Sequence, residues 1–288
     1  MRVADSAPPA SFPSQLPPPD TSVLLISNHK CDLDYFFVWA LASRVGPLQP
    51  GHFNAVAKGA LRKVPLFGWL FKLVGFLFLA RSWEADRARM GAWAGAVLRH
   101  PRPMWLLLYP EGTRFTARAK ERSDAVAREA GQAPLVGELL LPRTKGFVEL
   151  VRAMSPRFPV VLDMTIAYIG TDGLPVPWTA LGTSALLGLA AGRLPLSRVD
   201  VHCQLFPLPS LPPGDEQRAA WLQARWKAKE ALLTHCKEKG RFPVPSQPGD
   251  EAPLPTPRAI AVAALFAAGV ATLLHLAVHS SAFRMCVL

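Results

Sequence analysis

Residues 22–37 read SVLLISNHKCDLDYFF, and the reading of this stretch decides the fold. SVLLISN at 22–28 is short and apolar, which predicts a buried strand. Asp32 then stands at the head of an apolar-rich segment reaching about Ser43, a natural N-cap for a helix. Strand passing directly into helix is the unit from which parallel sheets are built.

Outward from there the alternation repeats. FNAVA (53–57), GFLFLA (75–80), MWLLLY (104–109), FPVVLDMTIAY (158–168) and VDVHCQLF (199–206) predict strands. MWLLLY has no polar interruption before its tyrosine, as expected of a strand covered on both faces. Helices are predicted at 84–99, at about 116–131, from a capping Thr144 to about Met154, and from about Gly214 to Lys239. The last carries Leu222, Trp226 and Leu233 on one side. The fold class is therefore α/β, a largely parallel buried sheet flanked by helices, expected over residues 22–242.

Both ends differ from this core. Residues 1–21 are proline-rich without an apolar run and predict an extended lead-in lacking regular structure, with neither a signal peptide nor an Arg-rich transit peptide. Residues 243–257 are again proline-rich and predict a linker. Behind it AIAVAALFAAGVATLLHLAV (259–278) has no formal charge, with only Thr272 and His275 as polar interruptions. At about 1.5 Å per residue it matches a bilayer core of about 30 Å, so the final segment, 258–288, is expected to be a transmembrane helix with a short tail. Lys239, Arg241 and Arg258 precede it and only Arg284 follows, which places the main domain on the cytosolic side.

Composition narrows the partners. Half the residues are hydrophobic, mean hydropathy is +0.18 and the formal charge is +11, so an anionic partner is favoured. The basic residues are scattered and no zinc-finger spacing occurs, which argues against nucleic acid. Cys31, Cys203, Cys236 and Cys286 form no C-x-x-C pair, and the histidines show no H-E-x-x-H spacing, so neither a disulfide framework nor a metal site is expected.

Two segments place polar residues after strands, where open α/β sheets carry their chemistry. His29 follows the first strand and Asp34 lies five residues on. With His29 on the loop and Asp34 in the first helical turn the two can meet, the carboxylate fixing one imidazole nitrogen and leaving the other to take a proton. The same residues also serve elsewhere as a satisfied loop histidine and a helix-dipole acid. In YPEGTRF (109–115), Gly112 permits close backbone approach, Arg114 suits a phosphate and Thr113 adds a donor; a plain turn with a solvated arginine is the alternative.

In this order, NHKCDLD with His29 and Asp34, GFLFLAR ending at Arg81, and PEGTR at 110–114 resemble the first three motifs of the glycerophospholipid acyltransferase family. VPLFGWLF (64–71), RSWEAD (81–86), LPRTKGF (141–147) and VLDMTIAY (161–168) are similar to the plant and animal 1-acylglycerol-3-phosphate acyltransferases, and the resemblance covers about 22–240. Tyr109 stands where the family has Phe, Ala80 where an acidic residue is frequent, and the fourth motif lacks its usual proline.

The resemblance implies transfer of a fatty acyl group from acyl-CoA, a co-substrate and not a cofactor, to the sn-2 hydroxyl of lysophosphatidic acid, giving phosphatidic acid. It implies His29 as general base and Asp34 as its orienting partner, with Arg81, Glu111, Gly112, Thr113 and Arg114 in the acceptor-binding motifs. Lys58, after the second strand, is a further phosphate candidate or a plain surface lysine. The implied setting is the endoplasmic reticulum membrane. Acyl transfer to another lysophospholipid or to glycerol 3-phosphate, and a non-catalytic lipid-binding scaffold, are the rival readings. No G-x-S-x-G is present, and Cys31 is a small neighbour of His29 and not an evident nucleophile.

Overall fold

Among the described residues there are seven strands: β1 (Arg2–Asp5), β2 (Val23–Ser27), β3 (Phe53–Lys58), β4 (Leu77–Leu79), β5 (Trp105–Leu108), β6 (Val160–Gly170) and β7 (Leu196–Pro207). They form one sheet in the order β1-β7-β6-β2-β5-β3-β4. Every pairing is parallel except that of β6 with β7. Among the described residues the helices are α1 (Leu33–Val45), α2 (Phe67–Leu73), α3 (Trp83–Leu98), α4 (Ala117–Glu129), α5 (Thr144–Met154) and α6 (Asp215–Lys239). These assignments come from a computed structural model that describes residues 2–5, 16–45, 52–63, 67–80, 82–100, 102–181 and 196–243.

The unbroken apolar strands are explained by two covered faces. Val23 and Leu25 of β2, with Trp105 and Leu107 of β5, pack against Leu33, Phe37, Val38 and Leu41 of α1. The alternate residues Leu24, Ile26, Leu106 and Leu108 face Met90 and Ala94 of α3, Phe147 and Val151 of α5, and Leu222 and Trp226 of α6. Period-two alternation sends neighbours to opposite faces, so a strand buried on both must be apolar throughout. In α5 the buried residues Phe147, Val148, Leu150, Val151 and Met154 recur at helical spacing, one stripe turned to the sheet.

Two expectations are corrected. The lead-in supplies β1, which pairs parallel with β7 from Arg2↔Asp200 to Asp5↔Cys203. Pairing along a strand edge uses backbone groups, so a segment without an apolar pattern can take part. α5 begins at Thr144, with Arg143 in the capping position and no side-chain cap. α2, Phe67–Leu73, begins within VPLFGWLF, a segment for which no element is predicted above. No helix among the described residues is long and apolar enough to cross a membrane. The expected span 259–278 lies outside the described residues, as does the linker beyond Pro243.

β6 positions the chemistry. It runs parallel to β2 from Val23↔Val160 to Ser27↔Met164 and then continues past the end of β2. Its last residues therefore flank the loop between β2 and α1. Asn28 extends the pairing with its side chain: its amide donates to Ile166 O at 3.2 Å and accepts from Ile166 N–H at 2.9 Å. That double contact fixes the loop next to it.

Candidate active site

The loop held by Asn28 delivers His29 and the first turn of α1 delivers Asp34. His29 Nδ1 lies 2.8 Å from Asp34 Oδ2, with the histidine side chain 18% exposed and the carboxylate fully buried. The N–H groups of Lys30 and Cys31 donate to the same oxygen at 2.6 and 3.0 Å. The Tyr168 hydroxyl, from the overhang of β6, donates to Asp34 Oδ1 at 2.5 Å. With Asp34 on Nδ1, His29 carries its proton there and presents Nε2 as the acceptor.

The third-motif turn closes on the same histidine. Tyr109, just after β5, stacks its ring on the His29 imidazole with centroids 3.9 Å apart and planes 11° from parallel. The aromatic swap from Phe therefore keeps the stacking surface. Phe115 N–H donates to His29 O at 2.9 Å. Gly112 has φ +71°, and a Cβ there would lie 3.0 Å from Arg143 Nε, so both its backbone and its neighbour favour glycine. Arg143 N–H in turn donates to Pro110 O at 2.7 Å.

Glu111 sits beneath the loop, 3% exposed, and accepts from His29 N–H at 3.4 Å. Burial pushes its carboxyl well above the usual carboxylate range, with the His29 N–H pulling the other way. Arg114 faces outward and pairs with Asp32, Nη1 to Oδ2, at 2.5 Å. Thr113 is half-buried in the same turn. Lys58 is exposed at the end of β3 beside Leu79 of β4, at the same end of the parallel strands as the His29 loop. Arg81 lies outside the described residues. Cys31 is buried, and burial together with the Asp34 charge drives its thiol far up, which disfavours the thiolate.

A second polar cluster lies on the opposite face of β6. Lys229 of α6 is fully buried and ion-paired with Asp163, and donates to Thr165 Oγ1 at 3.3 Å. Arg225 adds a 2.6 Å contact to Asp163 and another at 2.6 Å to Gln204. Burial alone would raise the Asp163 carboxyl; Lys229 and Arg225 outweigh it and hold it below the usual range. The cluster locks α6 to β6 and β7 and gives the buried Asp163 its partners. Among the described residues no group of three or more His, Cys, Asp or Glu could hold a metal ion.

Sequence reasoning missed Asn28, Tyr168 and the Arg225–Asp163–Lys229 cluster. Asp163 alone carried a signal, as a charge inside an apolar strand. Asn28 and Tyr168 meet their partners only after β2 and β6 pair.

A family model described as acyltransferase matches residues 11–168, and one described as acyltransferase C-terminus matches 193–267. The chain belongs to the acyltransferase family. It is 35% identical over 227 residues to the probable 1-acyl-sn-glycerol-3-phosphate acyltransferase 5 of Arabidopsis thaliana, covering 78% of this chain and 56% of that one. It is 34% identical over 221 residues to the gamma 1-acyl-sn-glycerol-3-phosphate acyltransferase of Mus musculus, covering 77% and 55%. The delta protein of Pongo abelii is 30% identical over 237 residues, covering 82% and 57%. The chain spans about half the length of the curated relatives it matches.

Proposed function

We propose that this protein transfers a fatty acyl group from acyl-CoA to the sn-2 hydroxyl of 1-acylglycerol 3-phosphate, forming phosphatidic acid. The observation that carries the reading is the 2.8 Å contact of His29 Nδ1 with a fully buried Asp34, which leaves Nε2 to work as a base. His29 Nε2 takes the hydroxyl proton as the lipid oxygen bonds to the thioester carbonyl carbon. Asp34 stabilises the imidazolium that forms. The tetrahedral intermediate then breaks its C–S bond, and the departing thiolate takes the proton from Nε2 to give free coenzyme A. Arg114 and Thr113, with Arg81 and Lys58 as further candidates, meet the acceptor's phosphate, while Gly112 lets the backbone approach it. Glu111 serves from below, through the His29 backbone. The names of the relatives support this acceptor over other lysophospholipids or glycerol 3-phosphate.

The membrane setting belongs to the same proposal. The apolar segment 259–278 anchors the chain in the endoplasmic reticulum, with the α/β domain on the cytosolic side where acyl-CoA is made. Protease added to sealed microsomes should digest the α/β domain; full protection would reverse the topology.

The test of the chemistry uses membranes bearing the protein, labelled acyl-CoA and a panel of acceptors. Lysophosphatidic acid should be acylated fastest, and His29→Ala should lower that rate by about two to four orders of magnitude without unfolding the domain. Near-normal transfer by His29→Ala would sink the mechanism, and preference for another acceptor would sink the substrate.

A further inference from the structure

The surface beside the catalytic edge is unusual in both its apolar and its charged residues. In α2, Trp69 is 72% and Leu73 84% exposed, one helical turn apart. Gly68 shows why that face points outward: a Cβ there would lie 2.3 Å from Arg62 O, so the other side of α2 is pressed onto the 3-10 turn Gly59–Lys63. That turn adds the exposed Leu61, and α1 adds the half-exposed Phe36 and Trp39. The two helices are joined through rings. Phe71 of α2 stacks on Phe76 at 4.7 Å, Phe76 meets Tyr35 at 5.9 Å, and Tyr35 meets Phe36 at 5.9 Å. Tyr35 directly follows Asp34, so this apolar surface adjoins the catalytic helix turn.

Charge selects the occupant. Residues 35–83 contain Arg44, Lys58, Arg62, Lys63, Lys72 and Arg81 and not one Asp or Glu. Lys72 precedes Leu73 in α2, and Arg62 and Lys63 stand on the 3-10 turn that packs against α2; all three are exposed. A second copy would bring these cations against one another, and an apolar segment of this chain would leave them nothing to pair with. An anionic lipid surface satisfies both features, taking aromatic and aliphatic side chains into its headgroup layer and the cations onto its phosphates.

We propose that α2, with the 3-10 turn at 59–63 and the outer face of α1, is a docking surface for an anionic phospholipid bilayer, holding the His29 edge of the sheet against the membrane that contains the acceptor. The proposal rests on the reading that the acceptor is a lipid. The docking orients the domain independently of any anchor at 259–278, so the lysolipid reaches Arg114 and His29 by lateral diffusion.

The experiment uses the full chain reconstituted in vesicles containing phosphatidylglycerol and brominated phosphatidylcholine. Trp69→Phe should remove a measurable part of the bromine-quenchable tryptophan fluorescence, and omitting phosphatidylglycerol should remove a similar part from the parent. Quenching that is the same in parent and Trp69→Phe overturns the proposal. So does a parent dimer that Trp69→Glu/Leu73→Glu dissociates without any change in quenching, which would make the surface an interface between copies. In turnover, Trp69→Glu/Leu73→Glu should lower acylation of a bilayer-embedded acceptor at least about tenfold and leave a short-chain, water-soluble acceptor within about twofold of the parent. Equal rates for variant and parent on the embedded acceptor overturn the proposal. If the parent acylates neither acceptor, the acyl-transfer reading fails while quenching still decides the docking.

Discussion

Arg114 Nη1 rests 2.5 Å from Asp32 Oδ2, so the guanidinium of the turn after β5 is engaged by a carboxylate of the His29–Asp34 loop. Both side chains are substantially exposed, 35% and 55%, and a pair of that kind contributes at most about 1 kcal/mol. On the proposed function, the acceptor's phosphate offers more charge and two parallel hydrogen bonds, and should displace Asp32 readily. Arg114→Ala should raise the KM for the phosphate acceptor by about tenfold or more while sparing the KM for acyl-CoA. Asp32→Asn should change the acceptor KM by less than about fivefold, the factor that 1 kcal/mol allows. Steady-state kinetics with each substrate varied separately checks both.

Tyr168 is the group that holds Asp34 from the far side, its hydroxyl 2.5 Å from Oδ1. Tyr168→Phe removes that donor and keeps the ring's packing against Phe37. Asp34 then holds His29 less firmly. We expect kcat to fall by about threefold to thirtyfold with KM for both substrates nearly unchanged, since a net hydrogen bond to a charged group is worth about 1.5–3 kcal/mol and only part of it bears on His29. A change confined to KM would assign Tyr168 to substrate contact.

His202 gives the domain an acid-sensitive point away from the site. It is 3% exposed, its Nε2 has no hydrogen-bond partner among the described residues, and burial pushes its pKa down to about 4, with Asp163 opposing and Lys229 and Arg225 adding to the shift. Between about pH 6.5 and about 4 the unfolded chain binds a proton that the folded one does not, so stability falls as the solution is acidified through that window. His202→Phe should flatten the loss seen by urea denaturation between pH 7 and 4.5, by as much as about 2 kcal/mol for a shift of this size.

The buried Asp163–Lys229 pair makes the opposite kind of prediction. Lys229→Met strands a fully buried carboxylate with Arg225 as its remaining cation, and should destabilise the domain by about 3–5 kcal/mol. Asp163→Leu combined with Lys229→Met removes both charges and should recover much of that loss, because the desolvation cost disappears with them. Comparing single and double variants by chemical denaturation isolates the coupling.

The amino-acid sequence by itself determined the alternation of buried strands and amphipathic helices, because a strand covered on both faces must be apolar at every position and MWLLLY or VLLIS permits little else. It also placed His29 and Asp34 at the right interval for loop and first helical turn, and marked PEGTR as the turn after a buried strand. The tertiary structure decided everything that needs two distant segments in register. Tyr168 reaches Asp34 across 134 positions of chain only because β6 outruns β2, and Asn28 finds Ile166 across 138. Glu111 reads in sequence as one more polar residue of a binding motif, and only the packing puts it under the His29 backbone and out of solvent. β1 joined the sheet through backbone hydrogen bonds, which leave no side-chain pattern to read. Local pattern records what a residue's own segment requires; partners, burial and charge come from the segments that fold against it.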